Sequence, residues 1–411
     1  MKLFFLLIIL PFMSFSTISF TQYNNWEYKT AMPTARTFLS YTVLDNNLYV
    51  IGGCQSTNAT NKVEAYDPSS DTWSILNNLP AVRCYAMSCS FQNKIYVFGG
   101  GIGMWSNSSK SVYEFDAQMG NWTQKSDMPY EIGGSGIAVL ENLIYIIGGA
   151  NNSTSQPVST VMAYDPVNET WSQKTDLPTA RNMLSACTFD GKIYAFGGTT
   201  EDWENIFYKV VEVYDPSTNT WTQRADIPTG RWGLVTCLID GKIYAIGGRA
   251  GTSSTINEVY DPVTDSWLIK TPMQQARTGL AGGMIENKIY ITGGHEGPPV
   301  VFLSSCEEYV PDLSVVEEES DLLPEKIELL QNYPNPFNPS TKISWQLPVS
   351  SDVTLKVFDV LGNEIATLVN EYKPVGRNKI ELNAASLPSG AYFYQLKTEE
   401  FIQTKKMILV K

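Results

Sequence analysis

The chain has 411 residues and a formal net charge of −13 at neutral pH. This acidity argues against nucleic acid or an anionic membrane surface as its partner. Aromatic residues make up 12% of the sequence, and Tyr and Trp recur at fixed intervals, which is typical of an all-β core.

Residues 1–20 have the pattern of a secretory signal peptide. Lys2 provides a positive start, an apolar run extends from Leu3 to Met13, and small residues follow up to Ser19. The apolar run is too short to span a bilayer, and no other long apolar run follows it. We therefore expect an exported protein without a transmembrane segment in its mature form.

A single unit is repeated six times from about residue 23 to residue 311. Each copy contains a Gly-Gly pair after a hydrophobic strand, a Tyr-Asp or a close variant, and a Trp. Successive Gly pairs are 47, 49, 49, 50 and 46 residues apart, and the Trp residues follow the same steps. The pairs are Gly52-Gly53, Gly99-Gly100, Gly148-Gly149, Gly197-Gly198, Gly247-Gly248 and Gly293-Gly294, and the Trp residues are Trp26, Trp73, Trp122, Trp171, Trp221 and Trp267. This period predicts a β-propeller of six blades.

The copy at residues 181–228 shows how one blade is built. Four short hydrophobic stretches alternate with turn signals such as Asp190-Gly191 and Asp215-Pro216. They predict a four-stranded antiparallel sheet. Because the strands alternate in direction, the connections divide between two rims. We call the rim with the uniform turns the turn rim, and the rim with the irregular loops after the Gly pairs, and with the segments that begin each copy, the loop rim.

The sixth copy lacks a Trp strand of its own. It begins at Arg277 and ends at Pro311, whereas residues 23–33, with Trp26, precede the first copy. We expect this N-terminal segment to complete the sixth blade, so that no sheet edge stays open there. The propeller domain would then occupy residues 21–311.

The Gly-Gly, Tyr-Asp-Pro and Thr-Trp landmarks of the repeat resemble the kelch motif. The resemblance covers about residues 23–311 and implies a six-bladed kelch β-propeller. Two copies depart from the pattern, since Ile132 replaces an Arg in the third copy and Phe115 replaces a Tyr in the second.

After the repeats, residues 312–326 form an acidic segment that we interpret as a linker. In residues 327–411, Val353, Leu355 and Val357 alternate with polar residues, and turn signals separate this stretch from similar ones. This pattern predicts a small antiparallel β-sandwich.

The C-terminal segment resembles the type A sorting domain of the bacterial type IX secretion system. The motifs that carry the resemblance are NYPNPFNPST at 332–341, residues 358–362, SGAYFYQL at 389–396 and KKMILVK at 405–411. The resemblance implies the type IX secretion machinery as a partner, and a secreted or outer-membrane cell-surface protein of a Gram-negative bacterium. An ordinary adhesive β-sandwich is the alternative.

Four copies have an Arg and a Glu at matching positions, and the third copy lacks both. The pairs are Arg36 with Glu64, Arg181 with Glu212, Arg231 with Glu258, and Arg277 with Glu307; Ile132 and Met162 replace both charges in the third copy. Joint loss predicts a buried ion pair in each blade, because one charge left alone would be costly. A ring of anion-binding arginines is the alternative. Arg83, whose copy has Tyr113 at the Glu position, is the better ligand candidate.

Six cysteines are present. Cys54 and Cys84 are predicted to lie on the loop rim of neighbouring blades, where a disulfide is one of two possibilities, subject to the required Cα separation. The remaining four fall at core positions of the repeat, so we interpret them as buried thiols.

Variable loops on a rigid frame are the usual place for binding, so the loop rim is the candidate site. The candidate ligand-binding residues are Trp105, Trp203, Trp232, Arg83, Arg249, His295 and Asp202. The three Trp residues lie outside the six-fold pattern. They could stack on sugar rings or anchor a protein loop, and local packing is the alternative.

His295 is the only His, and no Cys cluster has zinc-ligand spacing. We therefore expect no metal, no cofactor and no catalytic residue. The leading hypothesis is a secreted or cell-surface binding module that recognises a glycan or a protein through the loop rim. The alternatives are a metal-independent carbohydrate-modifying enzyme similar to the kelch sialic-acid epimerases, and a structural surface component.

Overall fold

The computed structural model describes residues 24–56, 58–103, 108–151, 156–200, 204–312, 326–332, 334–373, 375–399 and 401–410. The chain separates into two compact units, Met1–Leu313 and Ser314–Lys411. The regular secondary structure of the described residues is entirely β. The predicted signal peptide and residues 313–325 of the predicted linker lie outside the described residues.

The described part of the first unit contains six four-stranded antiparallel sheets, which confirms the six-bladed propeller. The strands are given from the channel outward. Blade 1 contains Ser40–Leu44, Asn47–Ile51, Val63–Asp67 and Thr72–Ile75. Blade 2 contains Met87–Phe91, Lys94–Phe98, Val112–Asp116 and Asn121–Lys125. Blade 3 contains Gly136–Leu140, Leu143–Ile147, Val161–Asp165 and Thr170–Lys174.

The remaining blades repeat this plan. Blade 4 contains Ser185–Phe189, Lys192–Phe196, Val211–Asp215 and Thr220–Arg224. Blade 5 contains Val235–Ile239, Lys242–Ile246, Asn257–Asp261 and Ser266–Ile269. Blade 6 contains Ala281–Ile285, Lys288–Thr292, Cys306–Val310 and Asn25–Lys29. The loop rim carries short two-residue strands at Cys54–Gln55, Asn58–Ala59, Ala150–Asn151, Gln156–Pro157, Arg249–Ala250, Thr252–Ser253, His295–Glu296 and Val301–Phe302.

Blade 6 is built from both ends of the propeller segment. Asn25–Lys29 pairs antiparallel with Cys306–Val310, and Trp26 lies opposite Tyr309. Their ring centroids are 4.9 Å apart, and Trp26 is only 1% exposed. The ring of blades is therefore closed by a strand from the start of the chain.

The repeat Trp residues connect neighbouring blades. Each ring packs against the aromatic ring opposite it on the third strand, with centroids between 4.7 and 5.2 Å apart. Except in Trp171, the indole N–H also donates a hydrogen bond to a backbone carbonyl of the preceding blade, as Trp73 does to Thr30 at 2.8 Å. These hydrogen bonds are Trp26 to Thr271, Trp73 to Thr30, Trp122 to Asn77, Trp221 to Thr175 and Trp267 to Ala225.

The Gly pairs end the second strand of each blade where no side chain fits. Gly198 has φ +106°, and a Cβ built there would lie 2.8 Å from the carbonyl oxygen of Asn182. A backbone conformation with positive φ is accessible to Gly at little cost, so the repeated pair is an architectural requirement.

The predicted Arg–Glu pairs form and are buried. Arg36 Nη1 lies 2.5 Å from Glu64 Oε2, and Arg277 Nη2 lies 2.6 Å from Glu307 Oε1. The same contact joins Arg181 to Glu212 and Arg231 to Glu258. All four arginines are fully buried. Each carboxylate thus neutralises a cation within its own blade, and the structural interpretation of these four arginines is confirmed.

The C-terminal unit is a β-sandwich. One sheet contains Glu328–Leu329, Ser340–Leu347 and Gly376–Asn383; the other contains Glu364–Lys373, Ser351–Phe358, Gly390–Lys397 and Ile402–Leu409. Trp345 from the first sheet and Leu355, Tyr394 and Met407 from the second share one buried core.

Part of the NYPNPFNPST motif is tied to this core. The backbone N–H of Asn332 donates to the Tyr394 hydroxyl at 2.7 Å, and its side-chain amide donates to Thr341 Oγ1 at 2.9 Å. Asn332 is only 2% exposed, so its polar groups are satisfied inside the protein. The motif therefore has a structural role in the sandwich.

Candidate binding rim

A closed ring of backbone hydrogen bonds surrounds the channel at the loop rim. Six equivalent residues, one from each blade, have φ between 52° and 64°. The backbone N–H of each donates to the carbonyl of the equivalent residue in the preceding blade, at 2.7–3.1 Å. In order around the ring the residues are Phe38, Tyr85, Gly134, Met183, Gly233 and Gly279, and Phe38 donates back to Gly279. Each blade is thereby joined to both neighbours at its inner end.

Side chains of this ring pack together at the mouth of the channel. The Phe38 ring lies 4.3 Å from Tyr85 and 6.5 Å from Trp232, centroid to centroid. A Cβ at Gly279 would come within 2.8 Å of the Phe38 ring, so the glycine makes room for this aromatic side chain. Trp232 is 3% exposed. Its ring therefore packs within the rim instead of presenting a face to solvent.

Below this cluster, the inner strands of all six blades line a channel of about 390 Å³. No charged side chain lines the channel in the described part of the chain. Tyr41 of blade 1 and Ser185 of blade 4, on the opposite side of the ring, both line this channel, and burial raises the pKa of the Tyr41 hydroxyl. The side chains that the described residues contribute to the channel are therefore polar or apolar but uncharged.

His295 lies at the junction of blades 6 and 1. It is 7% exposed, and its Nδ1 is 2.9 Å from Thr37 Oγ1. Burial lowers the pKa of His295 to about 4, and the positive charge of Arg249 contributes in the same direction. The imidazole is therefore neutral at neutral pH, and the Thr37 hydroxyl can donate to it.

The structure brings three of the seven candidate residues together. Arg249 pairs through its backbone with Trp232, at 2.8 and 3.3 Å. The Phe38 ring, 5.4 Å from the His295 ring, bridges this pair to blade 1. Trp232, Arg249 and His295 thus form one patch over blades 5 and 6. Trp105, Asp202 and Trp203 lie outside the described residues.

Arg83 is separate from that patch, in blade 2, and it is 7% exposed. Its guanidinium donates to the hydroxyls of Ser109 and Ser111 at 2.9 and 2.7 Å, and to the Val82 carbonyl at 2.7 Å. These contacts hold the side chain in one place. A role in ligand binding stays a prediction.

A disulfide joins blades 1 and 2 at the loop rim. It links Cys54 to Cys84, whose Cα atoms are 5.5 Å apart, within the range that this bond requires. Cys89, Cys237 and Cys306 are buried free thiols, and Cys187 is half-buried. The sequence left the disulfide open, and the structure supplies the pairing.

Sequence reasoning missed Phe38 and Tyr85, which form the centre of the aromatic cluster. Both stand two residues after a repeat Arg, where blades 3, 5 and 6 have Gly. A position that alternates between Gly and bulky residues is the available signal, because Gly marks a backbone that needs positive φ.

The described residues also lack a cluster of metal ligands and a membrane-spanning helix. No group of three or more His, Cys, Asp or Glu side chains among them could hold a metal ion. None of these residues forms a helix long and apolar enough to cross a membrane.

Comparison with protein-family models identifies both units. Residues 11–257 match the attractin/LZTR1 β-propeller model. The chain belongs to this β-propeller family. Residues 331–411 match the secretion system C-terminal sorting domain. The sorting domain indicates that this propeller protein is exported by a bacterium, to the medium or to the cell surface.

Curated relatives share the kelch repeats. An F-box/kelch-repeat protein of Arabidopsis thaliana, At4g39580, is 32% identical over 82 residues, which are 19% of this chain and 22% of the relative. Kelch-like protein 33 of Homo sapiens is 33% identical over 78 residues, 19% of this chain and 14% of the relative. Beta-scruin of Limulus polyphemus is 32% identical over 78 residues, which are 19% of this chain and 8% of the relative. The chain spans less than a quarter of each relative's length, so the similarity concerns the repeats alone, and it confirms the kelch resemblance.

Proposed function

We propose that this propeller is an exported binding protein whose loop rim engages a partner at the bacterial cell surface. The sorting domain supports export through the type IX machinery and display at the outer membrane. The closed hydrogen-bond ring and the disulfide support a rigid frame beneath the loops. Of the two ligand classes, a protein is better supported than a glycan.

Exposed aliphatic side chains at the loop tips favour a protein over a glycan as the ligand. Val300 and Val301, in the hairpin of blade 6, are 57% and 53% exposed, and Ile102 of blade 2 is 56% exposed. Apolar side chains on projecting loops suit a protein interface, which buries them. By contrast, Trp232 is too deeply buried to stack on a sugar ring. Tyr28, which is 54% exposed, lies on the outer strand of blade 6 and not on the loop rim. Among the described residues of the loop rim, no aromatic side chain is exposed to support glycan binding.

The test compares the two rims of the full chain. In a Val300→Asp/Val301→Asp variant, two charges replace the aliphatic tip on the loop rim. Val263→Asp makes the same change on the turn rim, where Val263 is 73% exposed. Binding of each purified variant is measured against arrays of bacterial surface proteins and of glycans. We expect the loop-rim variant to lose about tenfold or more in affinity for a protein target, and Val263→Asp to bind like the wild type.

Two results would overturn this proposal. One is equal binding by the loop-rim and turn-rim variants, which would place the interface elsewhere. The other is binding to glycans alone, which would assign the rim to carbohydrate recognition. Export is tested separately, because deleting residues 331–411 should retain the propeller in the periplasm without changing its binding.

A further inference from the structure

Arg83 is a buried cation whose carboxylate partner is missing. In four other blades the equivalent arginine contacts a Glu on the third strand. In blade 2 the Glu position holds Tyr113, and none of the ion pairs among the described residues includes Arg83. The neighbouring loop residues 104–107 are Met, Trp, Ser and Asn, so by sequence they contribute no carboxylate either.

A second partner of the carboxylate is also missing in this blade. In blades 1, 4 and 5 a Thr two residues before the Arg donates to the same Glu, at 2.7–2.8 Å. The equivalent residue in blade 2 is Ala81. Blade 2 therefore has the Arg but lacks both the carboxylate and the hydroxyl that donates to that carboxylate. Blade 3 lost both sides, with Ile132 in place of the Arg.

Two serines stand where an anion could be held. The hydroxyls of Ser109 and Ser111 both accept hydrogen bonds from Arg83 Nη2. Their oxygens are 2.9 Å apart, so one hydroxyl also donates to the other. Of the five N–H groups of an arginine, these contacts and the Val82 carbonyl use three. Burial lowers the pKa of the Arg83 guanidinium, and Tyr113 is the partner that opposes this shift. Removing a cation from water without a counter-ion is costly.

Arg83 is also less completely buried than its equivalents. It keeps 7% of its surface exposed, whereas Arg36, Arg181, Arg231 and Arg277 are fully buried. Arg83 lies in the segment that begins blade 2, on the loop rim. We propose that Arg83, with Ser109 and Ser111, forms a site for a small oxyanion, either a free phosphate or sulfate or a carboxylate of a bound partner.

The experiment uses the full chain and measures Tm and isothermal titration calorimetry. Inorganic phosphate and sulfate are compared with sodium chloride at equal ionic strength, and a hexaglutamate peptide represents carboxylates of a partner. We expect at least one of these probes to raise Tm and to bind. In Arg83→Met that rise is lost, and affinity falls by about tenfold or more, because hydrogen bonds to a charged group are removed. Binding of phosphate or sulfate identifies a free ion as the ligand, and binding of the peptide alone identifies a partner's carboxylate.

Tyr113→Glu keeps the proposal testable if Arg83→Met fails to fold. This change installs the carboxylate that four other blades have, so the site should become internally neutralised and lose its response to added anions. Tyr113→Phe alters the same position without adding charge and should keep the response. Lys110→Met removes an exposed cation, paired with Asp127, from the segment between the two serines and should also keep it.

The proposal is overturned if no probe changes the Tm of the wild type. It is equally overturned if Tyr113→Glu responds to anions as the wild type does. The site does not depend on the partner proposed for the loop tips, since Val300→Asp/Val301→Asp should leave the anion response unchanged.

Discussion

The two rims of the propeller both contain repeated ion pairs, but the pairs on the loop rim are buried and those on the turn rim are partly exposed to solvent. On the loop rim, Arg181 is fully buried with Glu212 beside it. On the turn rim of the same blade, the side chains of Lys192 and Asp215 are 34% and 28% exposed. A pair that is screened by solvent contributes little, whereas a buried pair becomes costly once one partner is removed. Similar contacts in one repeat therefore have unequal consequences for stability.

The largest expected loss of stability follows when a buried Arg–Glu ion pair is broken. Glu212→Ala leaves Arg181 without its carboxylate, which should lower the free energy of unfolding by about 3–5 kcal/mol. Urea unfolding followed by intrinsic fluorescence measures the change. The double variant Arg181→Ile/Glu212→Met copies blade 3 and should lose distinctly less. Equal losses in the single and double variants would contradict the account of paired burial.

The second prediction concerns acid stability on the loop rim. The pKa of His295 falls from 6.5 to about 4 on folding, so between these values the unfolded chain binds a proton that the folded chain does not. Stability should therefore decline as the pH falls from 6.5 to 4, by up to about 3 kcal/mol.

His295→Gln serves as the control, because the pH dependence in this window should be weaker by that amount. On the turn rim, the Asp215 carboxyl titrates in a lower pH range. Lys192 lowers the pKa of the Asp215 carboxyl to about 2, so its small contribution is present above pH 3.8 and is lost as the pH falls towards 2. Parallel curves for wild type and His295→Gln between pH 6.5 and 4 would contradict the prediction.

Glycines provide a third test of the two rims. Gly198→Ala on the loop rim forces positive φ on a residue with a Cβ and brings that Cβ against a backbone oxygen, so we expect a loss of about 2 kcal/mol or more. Gly191 on the turn rim also has positive φ, +68°, but no atom lies within 4 Å of a built Cβ. Gly191→Ala should cost about 1 kcal/mol, from backbone strain alone. Thermal unfolding of both variants gives the difference, and a larger loss for Gly191→Ala would refute it.

The smallest effect belongs to the exposed pair. Asp215→Ala removes the partner of Lys192, and we expect little or no change in the urea midpoint, since solvent already screens these charges. A loss comparable to that of Glu212→Ala would mean that the turn rim is as tightly coupled as the loop rim.

The features that follow from the sequence are those that six copies share. Repeated Trp spacing predicted the blades, and the joint absence of charge at Ile132 and Met162 predicted buried pairs in the other copies. These inferences work because a repeat compares one position with itself in the same fold. The missing Trp strand of the sixth copy pointed in the same way to residues 23–33, which contain the observed strand Asn25–Lys29.

Features that occur once could not be obtained by that comparison. The contact of Phe38 with Tyr85, and the burial of Trp232, depend on how loops from different blades meet in space. The Cys54–Cys84 disulfide likewise depends on a Cα separation that spacing along the chain does not determine. The candidate site is therefore less predictable than its frame, because it uses the positions at which the copies differ.

The strand that completes blade 6 has a consequence for the timing of folding. The Tyr309 hydroxyl donates to the Asn24 side chain at 3.0 Å, across 285 positions of sequence. Contacts this distant form late, because the loop between them must first be ordered. A chain still emerging from the ribosome cannot join these two segments until nearly the whole propeller has been synthesised. We therefore expect the propeller to stay incompletely folded during synthesis, so that the chain can still be exported from the cytoplasm in an unfolded state.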